Sequence, residues 1–153
     1  MKSVILWVHV LCAVAWVGAC ATFVVAAMAL SSEPAERSLL ASRAAPRINR
    51  LCRPLALMIP ITGIANLFFA ARERGEHLPA EFVGILTAKL ALLVIMALAL
   101  WRAGRAAQMI GNESVTNGDA GFGDKMRALI AFYALIMGAG TIALALGFWL
   151  SGT

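Results

Sequence analysis

The stretch SVILWVHVLCAVAWVGACATFVVAAMAL, residues 3–30, decides the fold. It holds no Asp, Glu, Lys or Arg, and His9 is its single strongly polar side chain. An α-helix rises ~1.5 Å per residue, so about 20 apolar residues cross a hydrocarbon core of about 30 Å. The stretch therefore reads as a membrane-spanning helix. Lys2 ahead of it and Val17-Gly18-Ala19-Cys20 inside it resemble a secretory signal with a lipoprotein cleavage box, but the apolar run continues past Cys20 to Leu30. A signal core spans only ~7–15 apolar residues, so a retained anchor is expected.

Three runs of the same kind follow, at about 54–71, 82–101 and 128–150. The expected architecture is all-α: one domain over 1–153, a polytopic bundle of four transmembrane helices. Composition points the same way. Of 153 residues, 61% are hydrophobic and 14% charged, and the mean hydropathy is +0.84. Soluble domains hold roughly 45–50% apolar and 25% charged residues, because a small body has much surface to cover. A soluble domain, a disordered chain and a disulfide-stapled secreted scaffold are excluded by these values and by a count of three cysteines.

In a soluble protein a net charge of +5 would suggest nucleic acid. Sorted by link, the charge means something else. Arg37, Arg43, Arg47, Arg50 and Arg53 lie in the first link, and Arg102, Arg105, Lys125 and Arg127 in the third. Arg72 and Arg74 lie in the second, and Lys2 precedes the first helix. Nine against three places links one and three in the cytoplasm, with N-out/C-out termini, by the positive-inside rule. The charge is thus read as orientation in a bacterial inner membrane, with the lipid bilayer as partner and no nucleic acid. Trp7 and Trp149 then mark the outer interface and Trp101 the inner one. All three links are expected as extramembrane loops, the third rich in turn formers from Gly111 to Gly123. The basic stretch 37–53 has the alternative of an amphipathic helix lying on anionic lipid.

Only His9 and Lys89 put strongly polar groups inside the apolar runs. Intramembrane ionisable groups are costly and are functional candidates by default. His9 lies six residues past Ser3 and Lys89 seven past Phe82, both on helices entering from the expected outer side, so both reach a depth of roughly 10 Å. Asn66 reaches a similar layer from the opposite direction, and Thr62 and Thr141 lie somewhat deeper. No Asp or Glu lies within the runs, so Lys89 must lose its proton, meet an anionic ligand group or snorkel outward. Cys12 and Trp16 follow His9 at i+3 and i+7, with Gly18 beyond as an expected close-approach point, and this face suits a flat cofactor. Neutral imidazole is a common axial ligand of haem iron, and helix bundles hold such groups. Arg72, Arg74 and Lys2 stand at the outer mouth, where propionate pairing and ordinary solvated charge both account for them. His77, alone in the second link, reads as a surface residue. The scattered methionines form no M-x-x-x-M ladder and read as core gap-fillers.

Three segments carry a resemblance. WVHVLCAVAWVG, residues 7–18, resembles the first helix of the CopD-like and HemJ-like membrane proteins, in which a His is followed seven residues later by Trp and then Gly. RINRLCRPLALMIPITG, residues 47–63, is similar to their second helix, and LTAKLALLVIMALALWRAGR, residues 86–105, to their third. HemJ-like proteins are haem-binding protoporphyrinogen oxidases whose essential His and Lys correspond to His9 and Lys89. CopD-like proteins are associated with copper uptake or resistance. The resemblance implies a haem-dependent oxidoreductase. His9 is then the metal ligand and Lys89 the catalytic residue, a second ligand, a propionate partner or a contact for an anionic tetrapyrrole, while the face, depth and mouth positions read above add Trp16, Asn66, Arg72 and Arg74 as further cofactor contacts. The expected function is a redox-linked protein holding b-type haem or another tetrapyrrole. One alternative is a copper-handling protein using His9 with Cys12. Another is a non-catalytic accessory subunit, packing Gly138, Gly140 and Gly147 against a homo-oligomer or a larger membrane complex.

Overall fold

The computed structural model describes residues 2–30, 34–74, 80–113 and 122–152. They form α1 (Lys2–Ala29), a short α2 (Pro34–Leu39), a five-residue π turn (Leu40–Ala44), α3 (Ala45–Arg74), α4 (Ala80–Glu113) and α5 (Phe122–Gly152). Among the described residues, four segments are long and apolar enough to cross a membrane: Ser3–Ala29, Leu40–Arg72, Ala80–Ile110 and Phe122–Gly147. By helix length and hydropathy the chain is a multi-pass membrane protein.

The helices outrun the apolar segments at the ends bearing links one and three, which corrects the expectation of loops there. The basic stretch 37–53 is helical, α4 continues twelve residues past Trp101, and α5 starts six before Ala128. Charge ends an apolar run but not a helix, since Arg and Ala are both good helix formers. Nor does the first link lie free on lipid. Its π turn packs against α4 and buries Ala41, and Ala45 is buried one turn on. Pro54 and Pro60 sit inside α3. Each lacks an N–H and frees the carbonyl four residues back, an interruption that membrane helices tolerate.

Around the bundle, α1 packs on α3 and α5, α4 packs most extensively on α5, and the α3–α4 seam is the lightest. Helices α1 and α4 therefore stand on one diagonal. The core is lopsided. Buried side chains run over 16–27 on α1, 41–52 through the π turn and α3, 96–110 on α4 and 126–139 on α5. All lie from mid-depth toward the basic links. Tyr133 joins three helices there: its ring lies 4.5 Å from that of Phe23, and its hydroxyl donates to Asn49 Oδ1 at 2.9 Å, with the Ala45 carbonyl at 3.3 Å. Cys20 of α1 and Cys52 of α3 are free thiols, both fully buried. Close helix approach uses Gly140, where an added Cβ would collide with Val17 of α1 and meet Met96 Cε of α4 at 3.2 Å.

Toward the other end no described side chain is buried: none on α1 before Trp16, on α3 after Cys52, on α4 before Met96 or on α5 after Gly140. The large apolar groups there, among them Val4, Trp7, Ile64 and Phe68, are exposed, as lipid-facing positions are.

Candidate functional site

His9 stands on α1 at the end without a buried core, half-buried and turned toward α3. Its Nδ1 lies 2.9 Å from Thr62 Oγ1. The Thr62 hydroxyl has one proton, and it donates to the Met58 carbonyl at 2.7 Å, with the Ile59 carbonyl at 3.1 Å. With that proton committed to the helix, Oγ1 accepts from His9 Nδ1–H. The network therefore assigns the tautomer that leaves Nε2 with a bare lone pair. Gly63 makes room for the ring, since a Cβ there would stand 3.4 Å from His9 Cε1. The TG doublet of α3 is thus a cradle: Thr62 fixes the ring's orientation and Gly63 admits its edge.

Lys89 lies on the diagonal partner α4, also half-buried. Its Nζ rests against α5, 3.1 Å from where a Cβ on Gly147 would stand. Among the described residues no acceptor pairs with Nζ. His9 and Lys89 thus stand at the same end of the bundle on opposite helices, each against a glycine of a neighbouring helix.

Trp16 is fully buried, two turns below His9, and its Nε1 has no acceptor among the described residues. Cys12, between them, is half-buried. Gly18 does not join this face. It is exposed with nothing within 4 Å of an added Cβ, because nine residues of helix turn it about 180° from His9. Asn66 is half-buried at the same end, and Arg72 is exposed. Among the described residues the Thr141 hydroxyl donates to its own helix, at the Met137 carbonyl. The side chains of Lys2, Arg74 and Trp149, and the whole of His77, lie outside the described residues. Gly140 and Gly147 face inward on Val17 and Lys89 rather than outward toward a partner, while Gly138 is open.

Two participants escape a reading by depth alone: Thr62, expected somewhat deeper than His9, and Gly147, expected as a packing surface toward a larger complex. The signal for Thr62 was its place beside Gly63, a hydroxyl adjoining the one residue that lets a ring approach. Among the described residues no three His, Cys, Asp or Glu side chains converge on a metal-sized site. Compared with protein-family models, curated proteins and solved structures, the chain matches none; what is shown is four helices long and apolar enough to cross a membrane.

Proposed function

We propose that the coreless end of the bundle holds a b-type haem or a closely related tetrapyrrole, with His9 Nε2 as axial ligand, in a redox-linked protein of the bacterial inner membrane. The observation that carries this reading is the Met58–Thr62–His9 relay, which orients the ring and leaves Nε2 free to ligate, the outer-shell arrangement that metal-binding histidines use. Two further features fit a flat ligand: no described side chain is buried where it would enter, and the Trp16 N–H lacks an acceptor within the protein. A bound haem supplies a one-electron iron centre, and the protein sets its potential through ligand identity and dryness. In the chain itself, His9 binds, Thr62 orients, Lys89 offers a counter-charge to an anionic group, and the apolar walls exclude water. In the finer form, a protoporphyrinogen-oxidase-like activity, Lys89 is the contact for the anionic tetrapyrrole substrate.

Haem is favoured over copper by the donor set. A haem iron takes four ligands from its macrocycle and asks one or two of the protein, whereas a copper site built from side chains needs several soft or imidazole donors. Here His9 and Cys12 find no third His, Cys, Asp or Glu among the described residues. The test is the absorption spectrum of protein purified from haem-replete cells. A Soret band that disappears in His9→Ala, with helix content retained, supports the reading. Colourless protein carrying stoichiometric copper would replace it with the metal carrier, and colourless metal-free protein co-purifying with a larger complex with the accessory subunit.

A further inference from the structure

At the end of the bundle opposite His9, the lightly packed α3–α4 seam opens into a groove of about 470 Å³. Its polarity changes along its length. The mid-depth part is walled by Ala56, Leu57, Ala97 and Leu100, and the part nearer the basic links by Arg53, Arg105, Gln108 and the amide of Asn49. From Ala97 to Gln108 the helix climbs eleven residues, or about 16 Å, enough to run from hydrocarbon to headgroup level.

No acidic residue lines the groove. Neither Arg53 nor Arg105 has an ion-pair partner among the described residues, and the Arg105 guanidinium is held 4.2 Å above the Trp101 ring. The floor is a built donor. Asn49 is only 4% exposed, its Oδ1 is taken by the Tyr133 hydroxyl, and Nδ2 is left without an acceptor among the described residues. Gly104 keeps that amide uncovered, since a Cβ there would stand 3.2 Å from Nδ2. Two guanidiniums and an amide N–H at one end, with an apolar slot at the other, match an amphiphile that carries a phosphate above its acyl chains.

We propose that this groove is a binding site for one anionic phospholipid from the leaflet on the basic-link side, its phosphate between Arg53, Arg105 and Asn49 Nδ2 and an acyl chain along Ala56 and Ala97. The site is independent of the His9 end and of whatever binds there.

Native mass spectrometry of the full chain in neutral detergent tests it, with phosphatidylglycerol and phosphatidylcholine as probes. One phosphatidylglycerol is expected to survive activation that strips phosphatidylcholine. R53Q/R105Q should reduce its retention at least tenfold, and A97F, which fills the slot without touching a charge, should reduce it severalfold. R47Q/R50Q, two exposed arginines outside the groove, should change nothing. Equal retention of the two lipids, or an equal loss in R47Q/R50Q, would overturn the site by showing only bulk charge. Displacement of phosphatidylglycerol by millimolar inorganic phosphate would overturn it in favour of a soluble anion.

Discussion

His9 Nδ1 and Thr62 Oγ1 meet at 2.9 Å across the α1–α3 interface, and the hydroxyl proton is already committed to the Met58 carbonyl. The relay sets which ring nitrogen carries the proton. Thr62→Val keeps the shape of the side chain and removes the acceptor, so the ring loses both its orientation and its fixed tautomer. Outer-shell changes of this kind typically weaken metal binding by about 10–100-fold. Titration of haem into the cofactor-free variant should show a loss of that size with the fold intact. Wild-type affinity and an unaltered spectrum would mean that the ring is held by something else.

Lys89 and Gly147 form the second seat. If the proposed haem site holds, Lys89→Met removes a counter-charge of roughly 1.5–3 kcal/mol, which corresponds to a drop in haem affinity of about tenfold or more. Gly147→Ala should act in the same direction but more weakly, because its Cβ would meet only the mobile tip of Lys89, at 3.1 Å. The check is haem content per protein and Soret position in both variants. Full occupancy and an unmoved band in Lys89→Met would reduce Lys89 to a snorkelling residue.

Gly140 and Gly138 should part company although two residues separate them. An added Cβ at Gly140 would run into Val17 and Met96, while at Gly138 it meets nothing within 4 Å. Overpacking of a tight contact costs about 1–3 kcal/mol. Gly140→Ala is therefore expected to unfold at lower sodium dodecyl sulfate than wild type, and Gly138→Ala at the same concentration or higher. Matching midpoints for the two variants would refute the close α1–α5 approach.

Cys20 and Cys52 are fully buried free thiols, while Cys12 is half-buried. A maleimide-polyethylene-glycol reagent should add at most once to the folded, detergent-solubilised chain, at Cys12, and three times after denaturation. Cys12→Ser should abolish labelling of the folded form. Two or more additions to the native protein would contradict the packing of the Phe23–Tyr133 end.

The four spans were legible because hydrophobic run length is dictated by bilayer thickness, and that constraint is written directly into sequences such as residues 3–30. Helix ends were less so. Residues 37–53 are as basic as a loop yet helical, since nothing in Arg or Ala opposes a helix. His9 and Lys89 stood out because a charge in hydrocarbon is conspicuous. Their seats did not, because Thr62, Gly63 and Gly147 are small residues whose roles depend on which helices become neighbours. The helix period does exclude Gly18 from the His9 face, and the angle was there to be counted. The α3–α4 groove was invisible in the sequence, since it depends on how lightly two helices touch.

The uneven core has a mechanical consequence. With Tyr133, Asn49 and the buried thiols gathered at one end, that end acts as a fulcrum, while the other is tied by fewer contacts, His9 to Thr62 and Lys89 against Gly147. The arm from Trp16 to the start of α1 is about 14 residues, or about 21 Å, so a tilt of ~5° at the fulcrum moves the tip by about 2 Å. A small tilt at the buried end would thus alter the spacing of His9 and Lys89 while leaving the Tyr133–Asn49 hydrogen bond in place.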